Sequence, residues 1–181
     1  MTTYIALLRG VNVSGRKKIK MADLISHLAE LNLQSVKTYI QSGNILFKSE
    51  ESNQSILEQQ IKGKIEEKYG FDVPVIVKLA TGFQRVIENN PFAKDEANDI
   101  KCMHITFLGD LPTQEKTEHL ACYNYPSEEY VLENKDIYLY APNGYGRAKM
   151  TNNFFEKKLK VHATTRNWKT VNKLFVMANE L

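Results

Sequence analysis

The run Tyr4-Ile5-Ala6-Leu7-Leu8 is apolar at every position. Successive side chains of a strand point to opposite faces. Thr3–Arg9 therefore predicts a strand buried on both sides, in a sheet whose two faces are both covered.

Periodicity extends this start. Met21, Leu24, Ile25, Leu28 and Leu31 form one stripe and predict a helix over 21–32. Val36–Gln41 and Asn44–Lys48 read as strands joined by a two-residue turn at Ser42-Gly43. Leu57, Ile61, Ile65 and Tyr69 mark a long helix over 51–69, ended by Gly70. Val73, Val75, Val77 and Leu79 alternate as a strand. The order β-α-β-β-α-β predicts a four-stranded antiparallel sheet with both helices on one face and the first and third strands central.

The rest repeats part of that pattern. A helix over 82–90 stops at Pro91, and 93–99 reads as a connector. A strand over 102–108, a helix over 112–122 and a hairpin around Asn134-Lys135 follow. Two helices, over 151–159 and 167–178, close the chain, with Thr151 placed to cap the first. The fold class is thus α+β. A ferredoxin-like unit spans residues 1–80, a connecting helix and linker spans 81–100, and a reduced unit spans 101–181. The reduced unit lacks a final strand, and the two are expected to be intertwined around a shared core.

Composition sets outer limits. With 181 residues, 43% hydrophobic and 25% charged, the chain suits an ordinary globular protein. The first apolar run meets Arg9 after five residues, too short for a signal peptide or a membrane span. A cytoplasmic location is the expectation. Two cysteines, Cys102 and Cys122, make no disulfide framework.

Charge is uneven. Residues 1–20 carry five basic groups and no acid, and 145–181 carry eight basic groups and two acids. Between them, eleven basic groups face nineteen acids. Basic ends around an acidic middle predict a polarised surface.

The N-terminal basic loop approaches the P-loop spacing at Gly10, Gly15, Arg16 and Lys17. Arg16 stands at the lysine position, and Lys17 stands where Ser or Thr would hold magnesium. The helix also begins too late to aim its N-terminus at phosphates. A looser phosphate site survives, built from loop N–H groups with Arg16, Lys17 and Lys18. Thr38–Asn44 gathers hydrogen-bonding side chains around its turn. Lys149 and Thr164–Lys169 form a second basic and polar patch, in which Arg166 and Asn167 have no evident structural duty. Cys102, His104, His119 and Cys122 match no zinc-finger spacing and read as packing residues.

Four stretches together resemble a known family. They are Tyr4–Val13 with Lys18–Met21, Thr38–Asn44, Asn90-Pro91-Phe92, and Phe154–Leu159 with Ala163–Val171. The chain resembles the bacterial family catalogued as domain of unknown function 1697 over essentially its whole length. One departure is that Ser14 and Arg16 occupy a loop often richer in glycine in that family. The resemblance implies a cytoplasmic protein of two intertwined α+β units and carries over no activity.

Two functions follow as expectations. The first is binding of a polyanion, a nucleic acid, on a bipartite basic face. That face joins Arg9, Asn12, Arg16, Lys17, Lys18 and Asn44 to Lys149, Thr165, Arg166, Asn167 and Lys169. The alternative is an enzyme or sensor for a small phosphorylated metabolite held between the halves, oriented by Asn12, Asn44, Arg166 and Asn167. Neither requires a metal, a cofactor, a membrane or an obligate protein partner.

Overall fold

The computed structural model describes all 181 residues. The chain divides into two compact units, one of Met1–Gln84 with Lys173–Leu181, the other of Arg85–Asn172. It carries two four-stranded antiparallel sheets and six α-helices.

In the first unit the elements are β1 (Thr2–Leu8), α1 (Met21–Leu28), β2 (Gln34–Thr38), β3 (Asn44–Ser49), α2 (Gln54–Tyr69) and β4 (Val75–Leu79). The sheet order is β2-β3-β1-β4, so β1 and β3 are central as the sequence predicts. Tyr4, Ala6 and Leu8 of β1 share one core with Leu24 and Leu28 of α1 and with Leu57, Ile61 and Ile65 of α2. Both helices therefore lie on one face. Ile5 and Leu7 point the other way and are equally closed to solvent, which is why β1 is apolar throughout. Asn53 caps α2 by accepting from the Ser55 N–H at 3.0 Å, and Gly70 ends it at φ 67°.

Two local expectations need correction. Helix α1 stops at Leu28, because the chain turns tightly there and Leu31 and Leu33 reach the core from irregular backbone. The β2–β3 connection is the five residues Tyr39–Gly43, not two. Asn44 explains this. Its fully buried side chain donates to the Tyr39 carbonyl at 2.9 Å and to Ser42 Oγ at 3.0 Å, stabilising a wider loop.

Helix α3 (Ala80–Asn89) follows β4 directly. The second unit then runs β5 (Met103–Leu108), α4 (Gln114–Ala121), β6 (Glu129–Glu133), β7 (Asp136–Tyr140), α5 (Asn152–Leu159) and β8 (Ala163–Asn167), and α6 (Trp168–Asn179) follows β8 directly. Its sheet order is β6-β7-β5-β8, the order of the first sheet. The second unit is therefore not reduced: β8 supplies the final strand the sequence reading lacked. Ala-Thr-Thr-Arg-Asn shows no apolar alternation, yet every residue of it pairs with β5, from Leu108↔Ala163 to His104↔Asn167. Even a small device repeats. Glu58 of α2 accepts from the Val77 N–H of β4 at 2.8 Å, and Glu156 of α5 accepts from the Ala163 N–H of β8 at 3.0 Å.

Candidate functional site

The basic loop is a clamped hairpin. After β1 the chain turns at Gly10 (φ 70°), and Val13 pairs with Arg16 around Ser14 (φ 49°) and Gly15 (φ 74°). Two consecutive positive φ values are the signature of a tight primed turn. Asn12 holds its base. Its Nδ2 donates to the Ile19 carbonyl at 2.8 Å, and its Oδ1 accepts from the Ile19 N–H at 2.9 Å. The Asn12 N–H itself goes to the Lys17 carbonyl at 3.1 Å, and the Arg16 N–H to Val13 at 2.9 Å.

This geometry decides which groups face a ligand. The amides of Asn12, Arg16 and Ile19 are committed to protein acceptors and are not offered to an anion. Lys17 is half-buried, and its ammonium donates to the Asp72 carbonyl. Arg9 is half-buried and its N–H bonds the Pro74 carbonyl at 2.9 Å. Arg16, Lys18 and Lys20 are exposed, and Val13, which bridges to Arg16, is 58% exposed.

A second loop is tied to this hairpin. Asn12 Nδ2 also donates to the Gln41 carbonyl at 2.7 Å. Gly43 (φ 76°) packs under the loop, where a Cβ would lie 2.6 Å from both Leu8 Cβ and Val11 Cγ2. Ile40 sits at φ 50° and is 48% exposed. A β-branched residue at positive φ is a genuine outlier, and here it gains no burial in return. So Arg9, Asn12, Arg16, Lys17, Lys18 and Asn44 do gather around one pair of loops. Asn12 and Asn44 build those loops, and the exposed charge rests with Arg16 and Lys18, joined by Lys20.

The second patch resolves differently. Thr165 lies inside a chain of hydroxyls: Thr106 and Thr165 meet at 2.6 Å, Thr165 donates to Asn152 Oδ1 at 2.6 Å, and Tyr145 donates to Thr165 at 3.1 Å. The Asn152 N–H returns to the Tyr145 hydroxyl at 3.1 Å, closing a ring that pins the start of α5 to β8. Thr151 precedes α5 but makes no side-chain cap bond, so the expected cap is absent. Arg166 is only 7% exposed, and its guanidinium donates to Thr164 Oγ1 at 2.7 Å and to the Thr165 carbonyl at 3.0 Å. Asn167 caps α6, accepting from the Thr170 N–H at 2.8 Å. Both residues thus have the structural duty that their sequence context hid. The exposed cations of this patch are Lys149 and Lys169. The backbone N–H groups of Lys149 and Met150 are held by buried Glu128 at 2.6 and 2.8 Å.

Sequence reasoning missed Tyr145 and Asn152 as parts of that ring, and His104 as its stacking neighbour. The His104 ring stacks on Tyr145 with centroids 5.0 Å apart, and burial pushes its pKa below the usual imidazole range. No three His, Cys, Asp or Glu side chains are placed to hold a metal ion, and both cysteines are free thiols. No helix is long and apolar enough to cross a membrane.

Comparison with known proteins places the chain. A solved structure of a conserved bacterial protein from Streptococcus pneumoniae is similar over 98% of each chain, with TM-score 0.71 and 25% identity. No curated protein matches significantly. A family model described as a protein of unknown function, DUF1697, matches residues 1–138, a stretch that holds both loops of the first unit and stops before Lys149 and β8. The chain accordingly belongs to the DUF1697 family.

Proposed function

We propose that this protein binds a polyanion, a nucleic-acid backbone, on the Arg16–Lys20 side of the clamped hairpin. One observation carries the reading. The loop amides of Asn12, Arg16 and Ile19 are consumed internally, while Arg16, Lys18 and Lys20 stand in solvent on a rigid base. Flexible point charges on a fixed frame suit a repeating phosphate chain, whose binding is electrostatic and weakly specific. In the second unit, Lys149 and Lys169 are exposed cations as well.

The same geometry favours this over a small phosphorylated metabolite. Such a ligand needs converging, unspent donors. Asn12, Asn44, Arg166 and Asn167 each commit side-chain atoms to the protein. The matching strand order of the two sheets supports reading both units as ferredoxin-like repeats, the second one complete.

The test is fluorescence anisotropy of a labelled oligonucleotide between about 50 and 200 mM salt. Affinity is expected to fall steeply over that range. Arg16→Glu, Lys18→Glu and Lys20→Glu together should flatten the log–log salt slope by about 2 for a single strand. Absence of binding at low salt, or binding indifferent to charge reversal, sinks the proposal.

A further inference from the structure

We infer that the polyanion is single-stranded nucleic acid, and that its bases dock on the Tyr39–Ile40 segment beside the basic hairpin; this rests on the polyanion reading. The argument begins with what folding does not explain. Ile40 holds a backbone conformation (φ 50°) that penalises β-branched residues, and it is 48% exposed. An Asn or Gly would relieve the backbone and expose no hydrocarbon. Neither the φ nor the exposure favours isoleucine for stability.

The neighbours supply a ligand. Asn12 Nδ2 bonds the Gln41 carbonyl at 2.7 Å, which sets Ile40 and the exposed Val13 on either side of the tie between the two loops. The half-buried Tyr39 stacks on no other aromatic ring. Arg16, Lys18 and Lys20 provide the cations for a backbone. Charge beside an aromatic and aliphatic platform is the pattern of single-strand binding, because unstacked bases offer π-faces and phosphates together. A duplex keeps its base faces covered by stacking.

The central strand β1 of the first sheet offers bases no platform. The helix-covered face of its sheet is closed, and Ile5 and Leu7 on the other face have no exposed surface. The strand platform by which other sheet proteins stack bases is therefore closed on β1. An anionic lipid surface is the competing occupant. Two aliphatic side chains without Trp, Phe or Leu offer it little apolar area to bury.

The experiment compares four probes on the full-length protein: a labelled oligouridylate, the matching RNA duplex, inorganic polyphosphate, and anionic phospholipid vesicles. The variants are Tyr39→Ala and Ile40→Asn, with Arg16→Glu/Lys18→Glu as the charge control. Asparagine tolerates positive φ, so Ile40→Asn is expected to melt no lower than wild type. Both loop variants should weaken single-strand binding about fivefold or more. They should leave polyphosphate binding unchanged, and the charge control should weaken both. If the loop variants leave the oligouridylate unaffected, or weaken polyphosphate equally, the base site is wrong while the polyanion reading stands. Vesicle or duplex binding that is tighter than single-strand binding and lost in Ile40→Asn also overturns the base site. Failure of wild type to bind any probe removes the polyanion reading itself.

Discussion

The Asn12 amide donates to the Gln41 carbonyl at 2.7 Å, joining two loops that lie 29 residues apart in the chain. The same side chain donates to and accepts from Ile19. One asparagine thus sets the shape of the basic hairpin and its distance from the neighbouring loop.

Asn12→Ala removes all three bonds and places alanine at φ 55°. The expected loss is about 1–3 kcal/mol in urea unfolding, since each partly exposed bond contributes about 1 kcal/mol or less. Polyanion affinity should fall as well, although no charge is changed. Unaltered stability and unaltered affinity together would remove the clamp from this account.

Gly43→Ala is expected to be among the most damaging small changes in the first unit. The new methyl meets Leu8 and Val11 at 2.6 Å, at a φ of 76° that disfavours any side chain. Overpacking and backbone strain add, for about 3 kcal/mol or more. Gly63, exposed and with nothing within 4 Å of its would-be Cβ, is the control, and Gly63→Ala should be neutral or stabilising. Comparable melting of the two variants would contradict the close approach.

Thr165→Val keeps the shape of β8 and removes the hydroxyl shared by Thr106, Asn152 and Tyr145. Thr106, which is fully buried, is left with an unpaired hydroxyl. About 2–3 kcal/mol of destabilisation is expected. Adding Thr106→Val should return part of it, because both partners are then apolar. A double-mutant cycle reads the coupling directly, and strict additivity would show that the ring is not a unit.

Stability should depend on the protonation of His104. Burial depresses its pKa below the usual 6.5, so the folded state holds the neutral ring. As pH falls through about 6.5 the unfolded chain takes up a proton that the folded chain resists. This contribution is complete above that pH and is lost as pH falls toward the depressed folded value. Thermal melts from about pH 7.5 to 5 should drop more steeply for wild type than for His104→Phe, which keeps the stack on Tyr145. Parallel curves would place the sensitivity elsewhere.

Much of the fold was readable because its signals are local. The two-faced apolarity of β1, the stripe of α2 ended by Gly70, and the β6–β7 turn at Asn134 (φ 55°) each depend on residues a few positions apart. Strand β8 was not readable. Thr164, Thr165 and Arg166 look like loop or ligand residues until Thr106, 59 positions away from Thr165, is placed opposite them. The same limit governed the site. Asn44 and Asn167 resemble ligand donors in the sequence, and in the fold their side chains are spent on a loop and a helix cap. Ile40 carried no such signal, since between Tyr39 and Gln41 it reads as an ordinary strand residue.

By itself, then, the sequence determined the element order of the first unit, the doubly covered β1 and the basic character of both ends. Apolar spacing records which face of an element leaves water, and charge composition is independent of conformation. The tertiary structure decided that the second unit is complete, that Arg166 is buried and that Arg16, Lys18 and Lys20 stay in solvent. Those outcomes depend on which polar groups find partners far away in the chain, and no local pattern encodes that pairing.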